Sequence, residues 1–149
     1  MIALIQRVSH ASVAVDGALV GAIERGILAF IGVAKGDGEA EAARLVERVL
    51  DYRIFPDDSG RMNLALRDIV GGLLLVPQFT LAADTAKGTR ASFTPAAAPA
   101  DGERLFSHAL TLARAAHPTV ACGRFGADMQ VSLTNDGPVT FWLEVRPRA

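Results

Sequence analysis

A proline placed inside an alternating pattern constrains the fold of this chain more than any other feature. Residues 129–134 alternate apolar and polar side chains, as a half-buried strand does, and the alternation resumes over residues 139–145. Between them lies Asn135-Asp136-Gly137-Pro138, whose first three residues favour a tight turn. Pro138 has a fixed φ and no N–H to donate, so it suits the first position of a returning strand. The pattern predicts a hairpin of two strands, and therefore a sheet.

The same four residues allow two interpretations. The simpler one is a tight turn followed by a proline that starts a strand. The other is functional, because a Gly-Pro bond costs only about 0.5–1 kcal/mol in the cis form. A cis bond between Gly137 and Pro138 would leave two successive carbonyls on a short, stiff tip that can face a ligand. The residues of this loop favour the simpler interpretation and leave the other open.

The rest of the chain supplies further strands and two helices. Strands are predicted over residues 2–8, 11–15, 18–24, 26–34, 53–55, 73–76 and 119–122. Helices are predicted over residues 39–52 and from Asp101, as the N-cap, to His117. Residues 84–100 are typical of a loop. With no repeat and no linker, residues 1–149 are predicted to form a single α+β domain, a curled, mainly antiparallel sheet or barrel with two main packed helices.

Composition argues against several kinds of site and partner. The formal net charge of −1 argues against a broad electrostatic grip on nucleic acid, so DNA is not expected and RNA would need a local basic patch. Cys122 is the only cysteine and the three histidines are far apart, so neither a disulfide, a metal site nor a cofactor is predicted. The apolar runs are too short for a signal peptide or a bilayer span. A soluble cytoplasmic protein without a membrane partner is therefore predicted.

A second unusual segment is Pro77-Gln78-Phe79-Thr80. Pro77 interrupts an apolar strand and must end its central pairing or lie at an edge or bulge. Beyond it, the backbone N–H groups of Phe79 and Thr80 can stabilise an oxyanion, although the same residues also suit an ordinary strand end. Thr80 would need a base to act as a nucleophile, and no candidate lies nearby in the sequence. The residues point away from ordinary side-chain catalysis.

Arg7 lies within an apolar strand, where an arginine needs a reason. Its charged end can simply reach solvent from the outer face of the strand. Alternatively, the five fixed donors of its guanidinium can hold the carbonyl groups of a loop in place.

Several motifs together resemble those of the D-aminoacyl-tRNA deacylases, also called the D-tyrosyl-tRNA deacylase family, which remove D-amino acids from tRNA. They are Ala3–Val8, Arg53–Phe55, Met62–Leu64, Gln78–Leu81, Ala83–Thr85, Gly123–Phe125, Ala127–Leu133 and Asn135–Thr140. The resemblance runs nearly end to end. The pairing of the last motif with Gln-Phe-Thr at this separation is its specific part. One position departs from the family, because Pro77 stands where the family usually has serine.

The resemblance implies a hydrolase that cleaves the ester of D-aminoacyl-tRNA and also acts on glycine mischarged onto the tRNA for alanine. It implies a homodimer in which Gly137 and Pro138, as a Gly-cisPro motif, enter the pocket of the other subunit and reject L-amino acids. Catalysis would use the 2′-hydroxyl of the tRNA and backbone N–H groups. The implied site residues are Gln78, Phe79 and Thr80 at the ester, Arg7 bracing the Gly-Pro tip, and Phe125 and Met129 bordering the pocket.

The sequence also predicts two residues that contact tRNA and leaves two other functions open. We predict that Lys87 and Arg90 contact phosphates near the 3′ end of the tRNA. One alternative is a hydrolase in which Thr80 is the nucleophile. The other is a non-catalytic module that binds RNA or a metabolite on the same scaffold.

Overall fold

The first strand is central to the fold because it pairs with three other strands. The computed structural model describes residues 1–148. The strands of its main sheet are β1 (Ile2–Val15), β2 (Ala18–Ile23), β3 (Gly26–Gly32), β6 (Gly72–Pro77), β7 (Val120–Cys122) and β8 (Gln130–Glu144). They have the order β2-β1-β3-β6-β7, with β8 on the other side of β1. Pairs of β1 with β2, β3 and β8 are antiparallel, whereas the β3–β6 and β6–β7 pairs are parallel.

The sheet curls until its two ends meet. At this meeting point β2 runs so close to β7 that a Cβ atom built on Gly21 would lie only 2.6 Å from the backbone oxygen of Cys122. Only glycine permits such an approach between two backbones. The mixed sheet is therefore a nearly closed barrel, and its interior is filled by one apolar cluster that includes Val8, Val13, Leu28 and Leu74.

Helices cover the outer face of this barrel and create a second core. The helices are α1 (Glu39–Asp51), the short α2 (Leu66–Ile69) and α3 (Pro99–Ala116). Alternate residues of β3 serve the two cores: Leu28 faces the barrel interior, whereas Ile27 and Ala29 join Leu45 of α1 and Leu105 of α3. This is why the sequence of β3 is continuously apolar. The predicted α+β fold, with a curled sheet and two main helices, is confirmed.

Three shorter elements lie between these helices and strands. β4 (Phe55–Pro56) and β5 (Met62–Leu64) form a small antiparallel hairpin, and a 3₁₀ turn occupies Phe79–Ala82. α2 was not predicted, since four residues are too few to show a helical period. Among residues 1–148, no helix combines the length and the apolar composition that a bilayer crossing requires.

The predicted N-cap of α3, Asp101, is three residues too late. The helix begins at Pro99 with Ala98 as its N-cap, and Asp101 lies inside the first turn. Proline is well suited to this place because its fixed φ matches the helix and its missing N–H would have had no partner there. Asp101 keeps a helical role, since a carboxylate near the N-terminus is favoured by the helix dipole.

The predicted hairpin at residues 135–138 is wrong, because β8 continues in one direction along β1. Ser132 pairs with Ser12 before the interruption and Thr140 pairs with Gln6 after it. Between the pairs Gln6–Thr140 and Val8–Asn135, a single residue of β1 faces four residues of β8. That single residue is Arg7. Residues 136–139 therefore bulge outward from a continuous strand, and we call residues 135–138 the tip.

Candidate active site

A cavity of about 470 Å³ opens between the end of β6, the start of α3 and the segment that precedes β8. Its wall is mainly apolar. The residues that line it are Ile31, Val33, Val76, Pro77, Gln78, Phe79, Ala97, Pro99, Gly102, Phe106, Phe125, Gly126, Ala127, Met129 and Val131. Four of the site residues predicted from the sequence are among them: Gln78, Phe79, Phe125 and Met129. A largely apolar cavity of this volume with a few polar groups is typical of a small-ligand site.

Pro77 creates the polar rim of this cavity by ending β6. The pairing of β6 with β3 stops at Pro77, as predicted, and the Gln78 N–H donates to the carbonyl of Ile31 over 2.8 Å. The chain then enters the 3₁₀ turn. Within the described residues, the backbone N–H groups of Phe79 and Thr80 have no acceptor. Of these two residues, Phe79 lines the cavity and Thr80 follows it in the chain.

The hydroxyl of Thr80 is bound to an amide rather than to a base. The side-chain Nε2 of Gln78 donates to Thr80 Oγ1, and Thr80 itself does not line the cavity. The only buried histidine among the described residues, His117, places its Nε2 2.6 Å from the carbonyl oxygen of Gly71 at the start of β6. His117 therefore has a structural role, and no histidine lines the cavity.

Two glycines set the positions of Phe125 and Met129. Gly102 of α3 packs against the ring of Phe125, since a Cβ atom there would lie 3.4 Å from Cζ. A Cβ atom at Gly123 would lie 2.8 Å from the sulfur of Met129, so this thioether fills the space of the missing side chain. Both side chains are held against the cavity by close backbone approaches.

An exposed aromatic pair stands at the mouth of the cavity. The rings of Phe79 and Phe93 lie 5.1 Å apart between centroids, at 54° to each other. Phe79 is 57% exposed and Phe93 is 48% exposed. Lys87 and Arg90 are exposed on the loop that leads into Phe93.

The tip carries two further predicted site residues, Gly137 and Pro138, and does not line the cavity. Asp136, Gly137 and Pro138 are exposed, and the Gly137–Pro138 peptide bond is cis. Arg7 braces the tip, because its Nε donates to the carbonyl of Asp136 over 2.8 Å and its Nη1 donates to the carbonyl of Ile54 over 2.7 Å. The Arg7 side chain thus holds carbonyl groups of a loop, the second of the two predicted possibilities.

Asn135 fixes the base of the tip from within. Its Nδ2 donates to the carbonyls of Arg7 and Val139, and its Oδ1 accepts the N–H of Val139. Neither Arg7 nor any residue of the tip lines the cavity of the same chain. The structure therefore brings four predicted site residues to the cavity and joins Arg7 to the tip, whereas Thr80, Lys87 and Arg90 belong to neither place.

Sequence reasoning missed the contribution of α3. Pro99, Gly102 and Phe106 all line the cavity. A glycine inside an otherwise helical pattern indicates a close packing contact, and Gly102 was the available signal. Among the described residues, no three histidine, cysteine or acidic side chains cluster as metal ligands would.

The family model described as D-Tyr-tRNA(Tyr) deacylase matches residues 4–144 of the chain, which includes both the cavity and the tip. The chain belongs to this family. It is accordingly an enzyme, a hydrolase that acts on the ester bond of aminoacyl-tRNA, and the resemblance seen in the sequence motifs is confirmed.

Individual relatives agree with this assignment over almost the whole chain. The D-aminoacyl-tRNA deacylase of Thioalkalivibrio sulfidiphilus is 69% identical over 147 residues, which cover 99% of each chain. That of Alkalilimnicola ehrlichii is 65% identical over 149 residues, covering 100% of this chain and 99% of the relative.

Solved structures share the fold. A structure described as the c-Myc DNA Unwinding Element Binding Protein superposes with a TM-score of 0.94 at 36% identity, covering 99% of this chain and 100% of its own. A probable eukaryotic D-amino acid tRNA deacylase superposes with a TM-score of 0.80 at 17% identity, covering 97% and 98%. The second similarity concerns the fold alone.

Proposed function

We propose that the chain hydrolyses D-aminoacyl-tRNA in a site that two copies share, the cavity of one copy being completed by the tip of the other. One observation carries this proposal. The cavity is lined by Gln78 and Phe79 but by no residue of the tip, whereas the tip is exposed and braced by Arg7. A rigid, exposed loop suits insertion into a second molecule, because little order is lost on binding.

The ester would lie at the polar rim of the cavity. The free N–H groups of Phe79 and Thr80 would bind the carbonyl oxygen and stabilise the negative charge that develops on it. The 2′-hydroxyl of the terminal ribose would assist the attack of water, which breaks the ester and releases the D-amino acid and the tRNA. Because Thr80 Oγ1 is bound to the Gln78 amide, its hydroxyl has no base to activate it.

Handedness would be sensed by the main chain of the tip. Carbonyl oxygens held in place by Arg7 and Asn135 would accept hydrogen bonds from the substrate ammonium and leave no room for an L side chain. Rejection of this kind discriminates by steric exclusion. Glycine lacks a side chain, so glycyl-tRNA for alanine would also be a substrate.

The homodimer is supported by β8. This strand of 15 residues pairs only with β1 among the described residues, which leaves its other edge open. Trp142, on the face of β8 opposite to Phe141 and Leu143, is 52% exposed. A long open edge with an exposed aromatic residue is a liability for a monomer and suits an interface between copies. Light scattering at micromolar concentration should give the mass of a dimer, and an active monomer would contradict the shared site.

A deacylation assay with both enantiomers tests the proposed activity. Purified protein is incubated with D-tyrosyl-tRNA and with L-tyrosyl-tRNA, and the surviving ester is counted over time. We expect loss of the D-ester alone. Loss of neither ester would favour the non-catalytic RNA- or metabolite-binding module, and loss of both would remove chiral selection from the proposal.

Thr80→Val separates the backbone mechanism from the nucleophile alternative. We expect this variant to retain appreciable turnover of the D-ester, since the backbone N–H of residue 80 is kept. Complete loss of turnover, with unchanged melting temperature and tRNA binding, would instead support a threonine nucleophile. Because the substrate is a charged tRNA used in translation, the proposed location is the cytoplasm.

A further inference from the structure

The aromatic pair at the cavity mouth has no role in the ester chemistry described above. Phe93 does not line the cavity, yet its ring packs on Phe79, which does. Two large apolar rings side by side and about half exposed indicate a contact surface rather than a core.

The neighbouring loop gives this surface a positive charge. No acidic residue occurs between Thr85 and Ala100, and Lys87 and Arg90 form no ion pair among the described residues. The acid at the base of the loop, Asp84, accepts the N–H of Ala86 through its carboxylate. In a chain with a net charge of −1, this is a local patch of positive charge beside exposed aromatic rings.

Backbone hydrogen bonds hold this surface in place next to the cavity. Asp84 and Ser92 exchange two bonds of 2.8 and 2.9 Å at the base of the loop. Past Phe93, the carbonyl of Pro95 accepts the N–H of Lys35 and the N–H of Ala97 donates to Val33, which lines the cavity with Ala97. A fixed strip of chain thus runs from the basic loop to the cavity wall, and Phe93 lies along it.

We propose that Phe93, whose ring packs at an angle against that of Phe79, is a platform for the unpaired nucleotides that precede the terminal adenosine of tRNA, with Lys87 and Arg90 contacting their phosphates. This inference rests on the proposed function, since it extends the same site outward. A cavity of about 470 Å³ accommodates one small ligand, so the preceding nucleotides must lie outside its mouth. Aromatic faces next to free cations are the common means of binding single-stranded nucleic acid without sequence preference.

Comparing two esters tests the platform. D-Tyrosyl-tRNA carries the preceding nucleotides, whereas the D-tyrosyl ester of adenosine does not. Phe93→Ala should lower kcat/KM on the tRNA roughly tenfold, mainly through KM, because one base loses its stacking partner. It should leave kcat/KM on the adenosine ester unchanged. Phe93→Tyr should keep near wild-type values on both. Leu19→Ala removes another exposed apolar side chain that does not line the cavity, and it is the matched control.

The outcomes separate this inference from the proposed function. Equal losses on both esters, or no loss on either, would overturn the platform while leaving the deacylase intact. If the wild-type protein hydrolysed neither ester, the proposed function would fail, and the platform would still be judged by fluorescence anisotropy with uncharged tRNA. There, Phe93→Ala should weaken binding several-fold relative to Leu19→Ala, and equal affinities of the two variants would overturn the platform.

Discussion

At the scale of single residues, Val70 has a backbone conformation that β-branched residues rarely adopt. It ends α2 with φ of 50° and ψ of 45°, the left-handed region, where a Cβ branch is crowded. The side chain is 62% exposed, so little packing offsets this strain. The chain must reverse here to enter Gly71 and β6, and the reversal is stabilised by the bond from the Val70 N–H to the Leu66 carbonyl.

Val70→Asn should therefore stabilise the protein. Asparagine tolerates the left-handed region, and we expect the free energy of unfolding to rise by about 1 kcal/mol. Denaturant unfolding measures this change. Leu19→Asn is the control, since it replaces another exposed apolar side chain on a strand, where asparagine has no such advantage, and should give no gain. An equal gain in both variants would show that the gain comes from replacing an exposed apolar side chain and not from relieving backbone strain.

Arg7→Lys tests the bracing of the tip. Lysine keeps the charge but cannot reach the carbonyls of Asp136 and Ile54 together with a planar fork. The loss of one bond to a charged donor, worth about 1.5–3 kcal/mol, should lower kcat/KM on D-tyrosyl-tRNA about 10- to 150-fold. Because residues 136–138 are exposed, the melting temperature should fall by only a few degrees. Arg67→Lys, which alters an exposed ion pair with Asp51, should leave activity unchanged.

Sequence motifs indicated some of the residues that line the cavity or its mouth and missed others. Gln78, Phe79, Phe125 and Met129 were predicted from motifs, and the structure brings them to one cavity. Phe93 was missed because an isolated phenylalanine in a loop has no period or spacing that marks it. Its meaning comes from its contact with Phe79, across 13 intervening residues, and only folding reveals that contact.

At the scale of elements, β8 shows why a local pattern can predict the wrong connection. Alternating residues on both sides of Asn135-Asp136-Gly137-Pro138 are expected equally for a hairpin and for a bulge in one strand. The partner strand decides between them, and β1 accepts both halves of β8 in one direction. Arg7 then stands alone opposite the bulge, which explains why a charged residue interrupts the apolar pattern of β1 at this position. Bulges often serve to redirect the backbone at functional sites.

The β4–β5 hairpin depends on one carboxylate and should respond to pH. Hydrogen bonds from the side chains of Asn63 and Ser59 and from the Arg61 N–H lower the pKa of Asp57 to about 2. An unfolded aspartate has a pKa of about 3.9. Since the folded pKa is the lower one, the stabilisation is complete above about pH 4 and is lost as the pH falls towards 2.

Asp57→Asn tests this dependence. In the wild type, the NH₂ group of Asn63 donates to Asp57 Oδ2. In the variant, the amide oxygen can still accept bonds, but the new NH₂ group faces the NH₂ group of Asn63 and cannot accept its bond. We expect a lower melting temperature than that of the wild type at pH 6, with the difference narrowing between pH 4 and pH 2. Asp58→Asn, at the next and exposed position, is the control. A difference that stayed constant over this range would assign the effect to shape and not to charge.

At the scale of the whole molecule, the architecture followed from apolar periodicity, but the site did not. Apolar patterns predicted strands such as β3, and the two cores of the barrel account for its continuously apolar sequence. Closure depends on Gly21 meeting the backbone of Cys122, a contact between distant strands that no local pattern contains. Likewise, the placement of the tip outside the cavity of its own chain depends on where β1 carries it.

Mixing two inactive variants tests whether the site is shared between copies. Gly137→Val should inactivate the tip, because a Cβ atom at this position would lie 2.3 Å from the Val139 nitrogen and deform the loop. Gln78→Ala should inactivate the cavity. Random assortment on co-expression makes half of the dimers mixed, and each mixed dimer pairs one intact tip with one intact cavity. The mixture should therefore recover roughly a quarter of wild-type deacylation of D-tyrosyl-tRNA.

The number of intact tip–cavity pairs in each dimer also sets the expected result of the control. Co-expression of two differently tagged copies of the Gly137→Val variant should recover no activity, because no intact tip is present. Double-tag purification isolates the mixed dimer, in which one functional site of two should give about half of the wild-type rate. A purified mixed dimer without activity would mean that the tip and the cavity act within one chain. In that case, each copy has either a damaged tip or a damaged cavity and cannot form an intact site. Recovery would require that a cavity built by one copy is served by the tip of the other.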